Sequence, residues 1–583
     1  MNKYTYFSFL KKYKWRYLLG VVWLIIVDGL QLVIPRLLGD ITDKIKLETL
    51  NMSGIINYSL IIIGLALGTA FFRFLWRYFI FGTGRLIEKT IREDFYKKLQ
   101  SLSTRYFNNH KTGDLMAHAT NDINAVRMAM GPGIVMMADA VFLTIATVGI
   151  LLFTIDLRLT LLALIPLPFL SLVAVKFGKI IHNKYKKVQE SFSNMTDNAQ
   201  ENFSGIRVVK AFSQEKEEIN KFAKSNHNNY QRNVDMIKYS GLFHPLVQLI
   251  SAFSFLIVIW YGGILVIRGT ISLGDFVAFN SYLGMLTWPM MALGFVINHL
   301  QRGAASLDRL NVIFNEKKDI YDDDNVKNEI ENINGEINIK NLSFQYDKEE
   351  EYALKNINMK IENGKTAAII GRTGSGKTTL INLLLRIYNV KEGEILIDDH
   401  NINEIPLKTL RKNIGYVPQD NFLFSTTISQ NIAFDDPKEL SFNQVQNAAL
   451  NAQVYENIIE FPDKFKTLLG ERGANISGGQ KQRISIARAL IKNPKILILD
   501  DSLSAVDTHT EEMILNNLKD IMKDRTSIII SHRISTIKDA DKIFVLNEGE
   551  LLEKGDHKSL LKNGKLYYEL YQKQQLEEKI ANS

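Results

Sequence analysis

Long apolar runs in the first 300 residues set the strongest limit on how this chain can fold. Each approaches the ~20 residues that a helix needs to cross the hydrocarbon core of a bilayer. Six such runs can be traced, at approximately 17–39, 56–81, 134–155, 158–177, 242–267 and 275–300. Only two charged residues, Asp156 and Arg158, separate the third run from the fourth, and this short separation predicts a tight hairpin. The pattern predicts an α-helical membrane bundle with six transmembrane helices.

A basic N-terminal stretch precedes the first run, with Lys11, Lys12, Lys14 and Arg16. Secretory signal peptides begin in the same way, but their apolar segment spans only ~7–15 residues and ends at a small-residue cleavage site. This run is longer, no A-x-A site follows it, and five more runs come later. We therefore interpret it as the first spanning helix of a multi-pass protein.

Two long polar segments, 84–130 and 176–240, are rich in Lys and Arg, whereas the short connections on the opposite side hold few net positive charges. The positive-inside rule then places both segments and the N-terminus in the cytoplasm. Six crossings return the chain to the cytoplasm, so the C-terminus is expected there too. Basic segments beside an anionic leaflet account for the net charge of +8 without a nucleic-acid partner.

Both polar segments carry apolar residues at helical spacing. Such helices either cap the bundle or continue the spans into the cytoplasm as rods that touch another domain. The length of the two segments favours rods.

After about residue 314 the composition changes. An acidic, aperiodic stretch predicts a linker, and β-type alternation follows it. The predicted domains are a membrane domain over 1–314, a linker over 315–335, a second domain over 336–575 and a C-terminal tail over 576–583. Cysteine is absent, which excludes disulfides and thiolate metal sites.

The second domain contains a phosphate-binding loop that runs from Gly371 to Lys377 and Thr378. It fits G-x-x-x-x-G-K-[ST] between a strand-like and a helix-like segment. Glycines let backbone N–H groups surround phosphate oxygens, Lys377 reaches the terminal phosphates, and Thr378 ligates Mg²⁺. ATP and Mg²⁺ are the expected cofactors.

About 120 residues later, four apolar residues end in Asp500 and Asp501. A buried strand of this kind can deliver a carboxylate to the Mg²⁺ ion. Alone it is equally typical of an ordinary core strand, but its distance from the phosphate-binding loop favours the functional interpretation.

Between these motifs, the string ISGGQ at 476–480 resembles the signature of ATP-binding cassette (ABC) proteins. The chain is identified as similar to half-size bacterial ABC exporters of the type IV fold over essentially its whole length. The implied fold is the six-helix membrane domain, with long cytoplasmic extensions, followed by an α/β P-loop ABC ATPase domain. In that family two cassettes pair head to tail, so the resemblance implies a second subunit.

The resemblance also implies site residues. Tyr346 resembles the aromatic that stacks on adenine, Gln419 the Q-loop residue near Mg²⁺, and Glu471 the exporter X-loop acid. His532 resembles the switch histidine and Asp507 the D-loop acid. The expected ATP ligands are Tyr346, Gly371, Thr373, Gly374, Ser375, Gly376, Lys377, Thr378 and Thr379. The expected Mg²⁺ ligands are Thr378, Gln419 and Asp500. The residues expected to complete a partner's site are Ser477, Gly478, Gly479 and Gln480.

One position departs from the family pattern. Most ABC ATPases carry a catalytic Glu after the Mg²⁺-binding Asp, whereas this chain has Asp501. Asp501 either substitutes for that Glu or leaves a weak base, in which case ATP binds but is hydrolysed slowly. A weak base beside a good signature resembles the C subunit of Bmr-type heterodimeric multidrug exporters, and we expect a heterodimer whose partner supplies the Glu.

The cargo is weakly encoded. Asp28 lies near the middle of the first span, where a carboxylate is costly. It either attracts cationic compounds or pairs with Arg36 or Arg73. Trp288, Phe295, Met290 and Met291 suit adaptable apolar binding but also packing or lipid contact.

Small amphipathic compounds are the expected cargo, with lipids or hydrophobic peptides as the alternative. A soluble ABC ATPase is excluded by the six spans, and an ATP-gated channel is the remaining class. The expected location is the cytoplasmic membrane of a bacterium.

Overall fold

The computed structural model describes residues 4–346, 351–391, 393–436, 440–502, 513–514 and 518–581. The chain divides into two compact units. The first comprises Met1–Ser101 and His110–Glu316, and the second comprises Leu102–Asn109 and Lys317–Ser583. A short helix, Thr104–Asn109, therefore groups with the second unit although it interrupts the first in sequence.

Among the described residues, six helices of the first unit are long and apolar enough to cross a membrane. We call them spans 1 to 6: Lys14–Lys46, Met52–Gln100, Thr112–Ile155, Leu157–Ser204, Glu215–Ile267 and Leu273–Asn315. They contain 33 to 53 residues, which at 1.5 Å per residue gives roughly 50–80 Å. Because the hydrocarbon core is only ~30 Å thick, the helices extend well beyond it. Short helices flank them at Tyr6–Lys12 and Ile206–Ala211.

The turn between spans 3 and 4 is as tight as the sequence predicts. Span 3 ends in a π-helical segment, Leu151–Ile155, and Asp156 caps the next helix by accepting a 2.7 Å hydrogen bond from the N–H of Leu159. A carboxylate at this position satisfies one of the helix's unpaired N–H groups.

Buried polar contacts fix the packing of the spans. The hydroxyl of Tyr17 donates to the carbonyl of Met130, and that of Tyr282 donates to the carbonyl of Leu32, each at 2.7 Å. Asp122 is buried in span 3 and accepts hydrogen bonds from Ser306 and Arg309 of span 6. These bonds link segments that are far apart in sequence.

The described part of the second unit contains two sheets. The first is antiparallel, in the order β2-β1-β4-β5, and the second has the order β10-β9-β3-β8-β7-β6, with β9, β3, β8, β7 and β6 parallel. The strands are β1 Ile337–Phe344, β2 Leu354–Ile361, β3 Thr366–Gly371, β4 Ile395–Ile397, β5 His400–Asn401, β6 Ile414–Val417, β7 Ile496–Asp500, β8 Thr526–Ile530, β9 Lys542–Asn547 and β10 Glu550–Gly555.

Helices surround these sheets. Those in the described part of this unit are, in chain order, Lys377–Leu384, Leu407–Asn413, Ile428–Ile432, Phe442–Asn451, Tyr455–Ile459, Gly478–Leu490, Ile534–Ile537, His557–Asn563 and Leu566–Ala581. Short 3₁₀ turns lie at Lys464–Lys466 and Glu471–Gly473. The last helix continues past residue 576 to Ala581. In parallel sheets the functional loops gather at the carboxyl ends of the strands, and here β3, β7 and β8 lie side by side.

Candidate functional site

The phosphate-binding loop lies between β3 and the helix Lys377–Leu384, which we call the P-loop helix. Gly374 and Gly376 have φ angles of 82° and 93°, a region that strains residues with a side chain. A Cβ atom on Gly371 would lie 2.1 Å from the carbonyl oxygen of Leu546. Glycine is therefore required at these positions for the backbone to curl at the helix N-terminus.

Lys377 is buried at the start of this helix, and its ammonium group donates 2.9 Å hydrogen bonds to the carbonyls of Gly371 and Arg372. Burial lowers the pKa of Lys377, while the charges of Asp500 and Asp501 act in the opposite direction. When a nucleotide binds, its phosphate oxygens can replace these carbonyl groups as acceptors of the Lys377 hydrogen bonds.

Asp500 ends β7 and is buried. Burial raises its pKa, the charge of Asp501 adds to that shift, and Lys377 opposes it. Thr378 and Tyr416 also lower the pKa by hydrogen bonding. One carboxylate oxygen, Oδ2, is buried without a hydrogen-bond partner in the described part of the chain.

This environment fits Mg²⁺, which is usually held by one or two carboxylates together with substrate phosphates and water. The orphaned oxygen of Asp500 and the hydroxyl of Thr378 would supply the protein oxygens to a bound Mg²⁺ ion. The described residues contain no group of three or more His, Asp or Glu side chains that could hold a metal.

Asp501 follows in a left-handed backbone conformation, with a φ angle of 47°. Its N–H donates a 2.9 Å hydrogen bond to the carbonyl of Ile530, the last residue of β8. His532 lies two residues beyond Ile530, so β7 and β8 bring the predicted base and the predicted switch histidine to the same sheet edge.

Tyr346 follows β1, and its hydroxyl lies 2.8 Å from the hydroxyl of Thr379 in the P-loop helix. Its ring packs edge-on against Phe344 and Tyr388, with centroid distances of 5.2 and 5.1 Å. The fold therefore brings the predicted adenine-stacking residue to the phosphate-binding helix. Tyr388 is an aromatic neighbour that sequence reasoning missed.

The signature forms the N-terminus of the helix Gly478–Leu490. Ser477 accepts a hydrogen bond from the N–H of Gln480, and the Gln480 side chain accepts one from the N–H of Ser477. This reciprocal capping box leaves Ser477 and Gly478 exposed. An exposed helix N-terminus offers N–H groups and positive potential to an anion.

The remaining predicted residues lie in loops. Gln419 is exposed after β6, Glu471 is exposed in a 3₁₀ turn before the signature, and His532 is exposed after β8. Thr373 lies in the exposed part of the phosphate-binding loop. The D-loop residue Asp507 lies outside the described residues.

Tyr416 is a site residue that sequence reasoning did not single out, although it stands three residues before Gln419. It lies on β6, whose register pairs it with Ile498 of β7. Burial raises the pKa of the Tyr416 hydroxyl, and Asp500 raises it further. A neutral Tyr416 is thus available to orient the Asp500 carboxylate.

Asp28, the predicted substrate contact, is buried in span 1 and interacts with Asp139 of span 3 by a side-chain hydrogen bond. Arg73 of span 2 is the nearby opposite charge. Arg36 instead contacts Asp275 at 2.8 Å, so it is not the partner of Asp28. Asp139 was missed because its sequence neighbours are apolar. The other candidate, Trp288, is half exposed in span 6.

Two family models match the chain. The model described as the ABC transporter transmembrane region matches residues 17–290, and the model described as ABC transporter matches residues 354–504. The first falls on spans 1 to 6 and the second contains the phosphate-binding loop, the signature and Asp500. The chain belongs to the ABC transporter family.

Curated relatives of this ABC transporter match over almost its entire length. A probable multidrug resistance ABC transporter ATP-binding/permease protein, YheI of Bacillus subtilis, is 38% identical over 98% of both chains. The multidrug resistance-like ATP-binding protein MdlA of Escherichia coli is 34% identical over 99% of this chain and 97% of its own. An ATP-dependent lipid A-core flippase of Syntrophus aciditrophicus is 36% identical over 88% of this chain and 84% of its own.

A solved structure of a bacterial Atm1-family ABC exporter with ATP bound resembles the chain with a TM-score of 0.80 and 27% identity, over 96% of this chain and 99% of that one. The protein is thus a half-size ABC exporter, an ATP-hydrolysing membrane transporter. The predicted fold class, with six spanning helices followed by one ABC ATPase domain, is confirmed.

Proposed function

We propose that this chain is one subunit of a heterodimeric exporter that moves amphipathic compounds out across the bacterial cytoplasmic membrane. It binds ATP and Mg²⁺ at its own phosphate-binding loop, hydrolyses that ATP slowly, and lends its signature to a partner subunit that carries the catalytic Glu. Its termini lie in the cytoplasm. The observation that carries this proposal is the environment of Asp501.

An aspartate withdraws the carboxylate by roughly 1.5 Å relative to a glutamate at the same backbone position. The backbone cannot easily move forward to compensate, because the N–H of Asp501 is bonded to Ile530. A misplacement of about 1 Å costs on the order of 100-fold in rate. ATP binding is spared, because Lys377, Thr378 and Asp500 are separate groups.

The signature supports the other half of the proposal. Ser477, Gly478 and Gly479 differ in no way from the family pattern, and the helix N-terminus is capped and accessible. Ser477 and the adjoining N–H groups would contact the terminal phosphate held by the partner. Bound Mg²⁺ would neutralise charge on the ATP phosphates at each site.

The membrane unit also presents a surface suited to a partner. Between spans 4 and 5, the helix Ile206–Ala211 and its flanks expose large apolar side chains, including Phe203, Val208, Phe212 and Ile219. Phe203 and Ile219 line an apolar groove together with Ile206 and Phe222. We infer that the partner subunit covers this groove and that ATP-driven closure reaches the spans through the long helical extensions. ATP shifts the population because it binds the closed state better.

The Asp28–Asp139 pair supports cationic amphipathic cargo. Two carboxyl groups lie beside the single guanidinium of Arg73, and this excess of acidic groups would attract a cation. Asp28→Asn and Asp139→Asn should each reduce export of a cationic dye and spare a neutral analogue in inverted vesicles. Equal effects on both dyes would assign the pair a structural role with Arg73.

The similarity to a lipid A-core flippase supports a second candidate, a homodimeric flippase for lipids or apolar peptides. In that case Trp288 and Phe295, both half exposed in span 6, would contact acyl chains. Flipping of a labelled lipid by vesicles that contain only this chain would favour the flippase. Currents without vectorial transport would instead indicate an ATP-gated channel.

The direct test is the identity of the bound nucleotide. The chain alone, in lipid nanodiscs, is incubated with Mg²⁺ and ATP, washed and quenched, and its nucleotide is separated by chromatography. We expect retained ATP in the wild type, ADP in Asp501→Glu and no nucleotide in Lys377→Ala. Retained ADP in the wild type would contradict the proposal.

A further inference from the structure

The C-terminal helix, Leu566–Ala581, reaches the turn that carries His532. The Gln574 side chain accepts a 2.8 Å hydrogen bond from the N–H of Ile534 and donates one to the carbonyl oxygen of His532. A single amide thus bridges both ends of the short turn 532–534. Gln574 lies outside all the sequence motifs of the ATPase domain described above.

The helix that presents Gln574 is firmly anchored. Tyr567 is fully buried, its N–H donates a 3.0 Å hydrogen bond to the buried carboxylate of Glu553 on β10, and its hydroxyl lies 2.7 Å from Nδ1 of His557. Tyr571 packs on the same core. Gln574 follows Tyr567 by seven residues and Tyr571 by three, so all three occupy one helix face.

At the far end of the turn, the side chain of Ile534 is buried in the hydrophobic core. The Ser531 hydroxyl accepts a 3.0 Å hydrogen bond from the N–H of Arg533, and the His532 side chain is exposed. A histidine on such a turn can move relative to a phosphate unless its backbone is held. The Gln574 amide supplies that restraint, from an anchored helix and with both a donor and an acceptor.

We propose that Gln574, which is presented by the C-terminal helix, is a positioning residue for His532. The amide fixes the backbone of the turn so that the imidazole is aligned with the terminal phosphate of ATP. This inference rests on the proposed role of His532. Misalignment of about 1 Å at such a group costs on the order of 100-fold, so partial loosening should cost about ten-fold.

The test is single-turnover hydrolysis, with the full-length chain in lipid nanodiscs in excess over ATP, because this readout remains measurable at a slow site. The variants are Gln574→Met, which removes both bonds at similar volume, His532→Ala, and the double variant. Gln572→Met is the matched control, because the Gln572 amide bonds Tyr568 within the same helix. ATP affinity is measured in parallel by equilibrium binding.

We expect Gln574→Met to slow hydrolysis about ten-fold with unchanged ATP affinity and Gln572→Met to match the wild type. The double variant should be no slower than His532→Ala alone, because Gln574 acts through His532. Gln574→Glu keeps the acceptor for Ile534 but loses the donor to His532, so it should also be slowed. It provides a second variant should Gln574→Met fold poorly.

Two results would overturn the inference. In the first, His532→Ala slows hydrolysis, but the Gln574 variants either behave as wild type or slow hydrolysis further in the His532→Ala background. Gln574 then does not act through His532. If His532→Ala has no effect, the proposed role of His532 falls, and the inference falls with it. The first outcome leaves the role of His532 intact, and the second removes it; the proposed function, which rests on Asp501, is tested separately by the identity of the bound nucleotide.

Discussion

The N–H of Asp501 donates a 2.9 Å hydrogen bond to the carbonyl oxygen of Ile530, across the adjacent parallel strands β7 and β8. With a φ angle of 47°, Asp501 is bound to the strand that leads to His532. Because the backbone is held, side-chain length sets how far the carboxylate reaches. Asp501 therefore reaches less far than the Glu that most ABC ATPases carry at this position.

Tyr346 should contribute to ATP binding through its ring rather than its hydroxyl. Stacking of a base on an aromatic side chain is worth about 1–3 kcal/mol, so Tyr346→Ala should weaken ATP binding by roughly 5- to 150-fold. Tyr346→Phe loses only the contact with Thr379 and serves as the control. Equal affinities for Tyr346→Ala and the wild type in equilibrium binding would contradict adenine stacking.

Ser477 has two functions that different measurements separate. As a helix cap its loss costs about 1 kcal/mol, so Ser477→Ala should lower the thermal stability of the isolated chain slightly without changing its ATP affinity. In the assembled dimer the same variant should reduce the partner's ATPase rate, because the signature contacts the opposite nucleotide. An unchanged rate in the dimer would argue against signature donation.

Asp500 should produce an unusual pH dependence. Because burial raises its pKa, the folded state retains a proton that the unfolded chain releases, and the stability contributed by this group falls as pH rises above the ordinary Asp range. Asp500→Asn should therefore stabilise the nucleotide-free chain above the ordinary Asp pKa range, flatten the fall in stability as pH rises beyond that range and abolish Mg²⁺-dependent ATP binding. Thermal unfolding across pH provides the measurement.

Asp520 is the matched control for that experiment. It is an exposed aspartate whose pKa is lowered by its hydrogen bond with Lys523, so its shift has the opposite sign. Asp520→Asn should leave Mg²⁺-dependent binding unchanged and should not flatten the profile. A steeper profile in Asp500→Asn than in the wild type would contradict the proposed protonation of Asp500.

Asp122 should stabilise the packing of span 3 on span 6. Asp122→Ala leaves Ser306 and Arg309 without their shared acceptor. Because the Arg309 side chain is half exposed and can turn to water, we expect a loss of about 1–3 kcal/mol. The melting temperature in detergent should fall, whereas replacement of the exposed Asp197 by Ala should not change it. No difference between the two variants would refute this role.

The sequence predicts well the features that are encoded locally. The six apolar runs, the glycines of the phosphate-binding loop and the apolar strand before Asp500 each specify structure within a short window. Even the hairpin at Asp156 follows from two charged residues, Asp156 and Arg158, between two apolar runs.

The relationships that the sequence could not predict join residues from distant segments. Asp28 and Asp139 meet because spans 1 and 3 pack together, and the bond of Gln574 to His532 spans 42 positions. Tyr416 faces Asp500 only because β6 and β7 pair in one register. Hydrophobic periodicity specifies which face of a helix or strand is buried. It does not specify which polar partner a side chain on that face will contact.

The ATPase rate of the purified chain alone in lipid, beside that of Asp501→Glu, tests the central claim most directly. We predict negligible steady-state turnover in the wild type, with substantial activity gained by the glutamate variant and none by Lys377→Ala. Brisk wild-type turnover that Asp501→Glu does not increase would show that Asp501 is a competent base, and a homodimeric exporter would replace the heterodimer proposed here.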